Sequence, residues 1–407
     1  MPLTNKIWLH KQTTIRGEKM KKTLLMSALA LAGMTSAHAV EIKAGDWTVN
    51  VGGIINAYYT SVSCKGTQVG GLALGSQALA CGGKSDATTI GNGLLPNGLI
   101  VSAKSNQNGI DIGATMGIYS AVSSSSSIAN NNNVDVRQGF MTLGTKDVGT
   151  FKIGRDYGIF GSNAILNDMT LLGVGAPINA TQQNRVTLGH IGAGYTYLGN
   201  YGQMTYSSPS MSGFKFDGGV FSPVDSATLN NKDSKSPQLQ YQLSYAAGPV
   251  KAWVGGKNQD FEAVAPNPTG ASAAAVAGST AFKSSVTEIG ALATLGDLGL
   301  LANFQEGKGL GILSDGDQGA TKGENTFAQA TYKIMPKVKV GVSYGKSKNK
   351  GQTGAAFESN ENTTGGVYYN ITPSITLVGE LSKTDSKAAN GAKATADGVS
   401  FGAIMFF

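Results

Sequence analysis

The chain ends Gly398-Val-Ser-Phe-Gly-Ala-Ile-Met-Phe-Phe407, a run of two-residue period that stops on an aromatic. Val399, Phe401, Ala403, Met405 and Phe407 fall on one face, with Ser400 and Gly402 on the other. A terminus placed inside a strand is tied into a sheet rather than fraying in solvent. The same alternation recurs upstream. Val338, Val340, Val342 and Tyr344 alternate with Lys337, Lys339, Gly341 and Ser343, and Tyr241–Trp253 and Val367–Leu381 repeat the scheme. Around the turn Gly296-Asp297, residues Ile289, Ala291, Leu295, Leu298, Leu300 and Phe304 share a face. A chain of amphipathic hairpins whose last strand has no tail suggests a closed sheet, the last strand sealed against the first.

The other end reads as a targeting segment. Lys21 and Lys22 precede an apolar run from Leu24 to about Met34, followed by Ser36-Ala37-His38-Ala39, an A-x-A cleavage pattern. The expected division is therefore an upstream extension and signal peptide over 1–39, with the true start at Met20 and cleavage after Ala39, and a single β-barrel domain over 40–407. The formal charge of +7 shrinks accordingly, because removing 1–39 leaves 26 basic and 24 acidic residues. Nucleic acid is thus not an expected partner, since basicity is that footprint. The candidate mature part holds no apolar run of transmembrane-helix length, its best stretch being broken at Gly296-Asp297. If it resides in a membrane, a barrel is the architecture left that satisfies its backbone.

Periodicity alone does not say whether the apolar faces meet a core or lipid. Loop asymmetry does. Long polar or small-residue stretches lie at Cys64–Pro96, Val122–Asn133, Gly158–Arg185, Asp225–Pro237, Asp260–Ala281, Gly307–Gly323, Ser347–Glu358 and Thr384–Ala396, and short turns separate them. That is the pattern of a membrane barrel. Seventeen segments read as strands, and the Gly-rich Val186–Leu198 is better assigned to an inserted loop. The expected fold is all-β, a 16-stranded antiparallel transmembrane β-barrel with long extracellular loops and short periplasmic turns. The run Ser123–Ser127 with Asn130–Asn133 reads as exposed loop.

Several segments resemble the general porins of Gram-negative bacteria of the neisserial and burkholderial type. They are Val136-Arg-Gln-Gly-Phe-Met-Thr-Leu-Gly-Thr145, Gly149-Thr-Phe-Lys-Ile-Gly-Arg-Asp156, Tyr206-Ser-Ser-Pro-Ser-Met-Ser-Gly-Phe214 and the terminal Phe407. The resemblance implies a trimeric outer-membrane channel with an inward-folded third loop that forms a constriction. It also implies an assembly signal at Phe407, Met405 and Phe401, read by the outer-membrane barrel assembly machinery. The implied surroundings are outer-membrane lipid and lipopolysaccharide, and the implied cargo is small solutes and ions.

After the leader only three arginines occur, Arg137, Arg155 and Arg185, all flanking the candidate inserted loop. Arginine keeps its charge in a narrow, partly desolvated site, and a constricted cluster would attract anions. Arg137, Arg155 and Arg185, with Asp168 as the single carboxylate of Tyr157–Asn184, are therefore the candidate constriction residues. Strand parity aims Arg155 outward with Phe151 and Ile153, unless Gly154 marks a bulge; Arg137 has the parity opposite to Val136 and Phe140 and is expected to face inward. Cys64 and Cys81 lie in a Gly-rich loop, export permits a disulfide, and a loop-stapling bridge is expected. With His190 the one histidine after the leader, a metal pair lacks ligands, and no cofactor is implied. Gly307-Lys-Gly-Leu-Gly311 lacks the strand–turn–helix setting of a nucleotide loop, and no G-x-S-x-G accompanies His190. The chain reads as no enzyme but a passive diffusion channel, weakly anion-selective. The alternatives are a channel selective for small organic anions on the same barrel, or a secreted β-rich adhesin or structural protein.

Overall fold

A computed structural model describes residues 39–122, 134–177, 186–226, 229, 231–265 and 278–407. Residues 1–38, the low-complexity run at 123–133 and Arg185 lie outside the described residues. The first quarter carries β1 (Val40–Ala44), β2 (Trp47–Gly66), a short helix α1 (Gln77–Ala80), β3 (Asp86–Gly91), β4 (Asn97–Gln107) and β5 (Ile110–Ser120). Then come β6 (Asp135–Thr145), β7 (Gly149–Tyr157), α2 (Ser162–Asn167), a 3-10 turn (Met169–Leu172), β8 (Asn200–Ser207) and β9 (Phe214–Phe221). Next are β10 (Lys232–Asp233), β11 (Gln238–Ala247), β12 (Val250–Glu262), β13 (Phe282–Leu295), β14 (Leu298–Lys308) and β15 (Lys322–Met335). The last elements are β16 (Val338–Asn349), β17 (Phe357–Asn370), β18 (Ile375–Ala388) and β19 (Lys393–Phe406).

Sixteen of these strands, β2, β4–β9 and β11–β19, follow one another antiparallel around a closed barrel. Closure is made by β19 on β2, in register from Ala394↔Gly66 to Phe406↔Ile54. Phe407 completes the seam: its N–H donates to Gly53 O (3.1 Å), and Gly53 N–H donates to Phe407 O (2.8 Å). The short β1 then continues the same edge, pairing Val40–Ala44 with Trp47–Val51. A disulfide joins Cys64, on β2, to Cys81, just past α1, across a Cα–Cα distance of 6.3 Å.

The pleat sorts the side chains. Val399, Phe401 and Leu381 are half to two-thirds exposed, as are Ile55, Ile289, Val342 and Val367. So continuous an apolar exterior has no place in water and belongs against acyl chains. The alternate residues, among them Asn56, Thr60, Gln240, Gln242, Asn325 and Asn360, face inward and are buried. Phe401 stacks outside against Tyr59, ring centroids 5.0 Å apart, while Met405 faces Ile55 and Ile375 in the ladder. The Val186–Leu198 segment adds no barrel strand and lies inside the barrel. Two expectations shift. β16 and β17 run into Ser347–Glu358, and β18 and β19 into Thr384–Ala396, so the last two loops shrink to 350–356 and 389–392.

Candidate functional site

Loop backbone drawn into a barrel must find hydrogen-bond partners without a ladder. Here the inward side chains of the wall supply them. Gln240 Oε1 accepts from Ile159 N (2.8 Å) and Phe160 N (3.0 Å), and Gln242 Oε1 accepts from Asn163 Nδ2 (2.6 Å). Gln329 accepts from Met169 N (2.6 Å) and donates to Asn167 O (2.9 Å). Glu380 Oε2 accepts from Val174 N and Gly175 N, each at 2.8 Å, and Tyr58 OH donates to Leu172 O (2.5 Å). These anchors fall on β2, β11, β15 and β18, so residues 158–177 lie along those strands of the wall. Close approach needs glycine: a Cβ on Gly345 would sit 1.9 Å from Ala193 O, and one on Gly173 would sit 2.1 Å from Glu380 Oε1. Apolar side chains of the loop, Ile165, Met169, Leu171, Val174 and Ile191, then join Ile54, Trp253, Phe327 and Tyr368 of the wall in one cluster.

Two further loops fold inward. In 309–321, Asp315 accepts from Lys257, Tyr201 OH (2.7 Å) and Gln238 Nε2 (3.0 Å). Asp317 accepts from three successive backbone N–H groups, Ile312, Leu313 and Ser314. Leu74 N donates to Asn360 Oδ1 (3.0 Å), whose amide donates in turn to Gly192 O (2.9 Å). Leu74, Ala193, Leu188 and Leu313 thus interlock three loops at the loop side of the lumen.

The candidate constriction residues separate. Arg137 is inward. Opposite Ile118 stand two residues, Val136 and Arg137, because the β5–β6 register shifts between Gly117 and Tyr119. Arg137 lies 5.8 Å over the Tyr119 ring and its Nε donates to Asp135 Oδ2 (2.7 Å), so its charge is largely spent. Arg155 does not line the lumen. The β6–β7 ladder runs unbroken through Gly154, so Arg155 keeps the outward parity of Phe151 and its Nε donates to Val136 O (3.1 Å). Asp168 is not a channel-facing carboxylate either, being fully buried. It accepts from Tyr195 OH (2.6 Å) and Thr170 N (2.8 Å), and lies 3.1 Å from His190 Nδ1. Burial pushes this carboxyl up, but the attraction and hydrogen bond of His190, with the bonds from Tyr195 and Thr170, hold it below its ordinary range. The three groups tie the outgoing and returning limbs of the inserted loop together.

The basic lining comes instead from lysines near the turn side. By register, Lys104 (β4), Lys152 (β7), Lys215 (β9), Lys251 (β12), Lys333 (β15) and Lys339 (β16) all face inward. Lys152 is paired with Asp156, and Lys215 with Asp217 at 2.7 Å. Lys251 Nζ donates to Asn163 Oδ1 of α2 (2.6 Å), and Lys339 Nζ stands 5.0 Å over the Tyr368 ring. Among the described residues Lys104, Lys251, Lys333 and Lys339 form no ion pair. Asp111, on the same inward row, accepts from Asn106 Nδ2 (2.8 Å). Parity would have picked out these lysines in each hairpin; what sequence hides is that the barrel gathers them at one height.

A closed barrel with an apolar exterior, a polar interior and an inserted loop is a membrane-spanning channel. Residues 24–389 match the family model described as Gram-negative porin, and the chain belongs to that family of outer-membrane channels. No curated protein sequence matches it. Its fold is similar to that of the anion-selective porin from Comamonas acidovorans, at 16% identity and TM-score 0.62, over 89% of this chain and 100% of that one. It is also similar to the outer membrane channel DcaP of Acinetobacter baumannii, at 14% identity and TM-score 0.63, over 90% and 99%. A third similar fold is the in-vitro folded OmpT of Vibrio cholerae in its trimer form, at 16% identity and TM-score 0.57, over 89% and 99%.

Proposed function

We propose that this porin is a passive diffusion channel with a weak preference for small anions, carrying out no turnover. The preference is set by the turn-side lysines rather than by arginines. The observation that carries this reading is the unpaired state of Lys104, Lys251, Lys333 and Lys339 on the inward face. Fixed positive charge on a water-filled wall concentrates anions and repels cations within a Debye length, about 10 Å at 0.1 M salt. The similar fold of the anion-selective porin from Comamonas acidovorans points the same way. A preference for anions with an apolar body is a second reading, favoured by the partly exposed Ile159, Leu166 and Leu172 on the inserted loop. The working unit is a homotrimer, as the Vibrio protein's trimer form suggests, set in outer-membrane lipid and lipopolysaccharide. The barrel assembly machinery would insert it through Phe407, Phe401 and Met405, after loss of the leader at Ala39.

Reversal potentials in a salt gradient test the selectivity. Wild type should favour chloride, more strongly at low salt, and K104Q/K251Q should reduce that preference. R155Q should leave it untouched because its side chain is outside the lumen. Cation preference in the wild type, or a full response to R155Q with none to K104Q/K251Q, would overturn the assignment.

A further inference from the structure

Three inward lysines of this barrel are supplied with an acid: Lys152 with Asp156, Lys215 with Asp217, Lys257 with Asp315. Among the four that are not, Lys333 and Lys339 stand out in a particular way. They are direct cross-strand partners in the β15–β16 hairpin. Both point inward, because the next inward pair of the ladder is Thr331↔Gly341, and a Cβ on Gly341 would lie 2.6 Å from Met169 Sδ of the inserted loop. Like charges set directly opposite on one sheet face destabilise it.

Neither forms an ion pair among the described residues. Lys339 has Tyr368 as its other cross-strand partner and stands over that ring. Asp297, at the adjacent β13–β14 turn, accepts from Lys333 N through its backbone O (3.1 Å) and makes no ion pair with either lysine. Glu380, on β18, is occupied: Oε1 accepts from Tyr368 OH (2.6 Å) and Oε2 from Val174 N and Gly175 N. The hairpin also has the means to turn one lysine away, since its register shifts between Lys333 and Met335. It places the shift beyond Lys333 and keeps both ammonium groups on the lumen face. Two adjacent cations that form no ion pair, one held over an aromatic ring, form a receptor for negative charge delivered from solution.

We infer that Lys333 and Lys339, with the Tyr368 ring beneath, bind a small dianion at the turn-side mouth of the channel. Hydrogen phosphate and short dicarboxylates share the required chemistry, two negative oxygens able to meet two ammonium groups at once. The site rests on the anion-channel reading and names the solute class that pauses there. It lies apart from Arg137, which is already paired with Asp135.

Single-channel chloride currents through the refolded full chain test this, with phosphate at about pH 8, where it is mostly dianionic, succinate or acetate added on the turn side. Phosphate or succinate should reduce the chloride current at a concentration at least about tenfold lower than acetate, as expected when a second charge-assisted contact is made. K333Q and K339Q should each raise the half-blocking concentration by about tenfold. K104Q/K251Q should weaken chloride preference yet keep the block. Block by phosphate alone or succinate alone identifies which dianion the site takes. Equal block by acetate, or undiminished block in K333Q and K339Q, refutes the site. A cation-preferring wild type would instead refute the channel reading on which it rests, whereas chloride preference without dianion block removes this inference alone.

Discussion

Replacing Asp168 by alanine tests whether the inserted loop is held by its own buried knot or by the wall. The carboxylate is fully buried and takes hydrogen bonds from Tyr195 OH at 2.6 Å and Thr170 N at 2.8 Å, with His190 Nδ1 at 3.1 Å. Deletion leaves these donors buried without that acceptor, at about 1–3 kcal/mol for each, and so a local loss of several kcal/mol follows. Gln240, Gln329, Glu380 and Tyr58 still hold other parts of the loop, so the expected result is local opening, not barrel melting. Single-channel records of D168A should show flicker and a changed open conductance. Limited proteolysis should cut within 158–199 while the barrel core survives. D168N, which keeps one acceptor oxygen, should lie between. The pH dependence has a definite sign. The Asp168 carboxyl is held below its ordinary range, so its contribution is complete above the unfolded value of about 3.9 and is lost as pH falls through the depressed value. Wild-type flicker should therefore begin only in acid below about pH 4, and D168A should lack that transition. Wild-type noise and protease resistance in D168A would show that the wall anchors suffice and that the knot carries little.

Two other expectations concern the seam. Cys64 and Cys81 close a loop with sequence separation 17, which by chain entropy is worth about 3 kcal/mol against the unfolded chain; C64S/C81S should lower the refolding yield and expose 67–85 to protease, and unchanged protection would show that Leu74 and Gly75, bonded to Asn360 and Ser386, hold the loop unaided. Deleting Phe407 removes both backbone bonds to Gly53, about 2 kcal/mol at the closure point, and should cut the heat-modifiable folded fraction in the outer membrane while export continues; a normal folded fraction would place the assembly signal elsewhere.

The barrel was legible because lumen and lipid impose opposite chemistry on alternate residues, and the turns at Gly296-Asp297 and Thr372-Pro373 mark where strands reverse. The same logic explains where strand ends were misjudged. Above the apolar band the outer faces of β16–β19 carry ion pairs, Lys346–Glu361 (2.5 Å), Lys348–Glu358 (3.3 Å) and Lys393–Asp385 (2.9 Å). With polar groups on both faces the alternation disappears, and strand reads as loop. The site was less legible. Arginine as a residue type says nothing about facing, and parity, which aimed Arg155 outward, proved the better guide there. Parity needs correcting where a bulge intervenes: the shift beside Ile118 carries Arg137 inward while Phe140, Gln138 and Thr142 form the regular inward row.

The course of the inserted loop did have a sequence signal, of a kind that hydropathy does not weigh. Gln238, Gln240 and Gln242 occupy successive inward positions of β11, where a merely water-lined wall would tolerate any small polar residue. Gln240 and Gln242 bond the loop, and Gln238 bonds Asp315 of the second inward loop. Gln329 and Glu380 serve the same purpose on β15 and β18. A long amide or carboxylate at an inward position is able both to reach irregular backbone and to satisfy it, so such residues mark the arc of wall that a loop covers. Inward lysines without acids lie nearer the turns of the barrel, Lys333 on the same strand as Gln329. That division, amides under the loop and unpaired ammonium groups at the turn side, is the ground on which we propose a selective passage rather than a filled core.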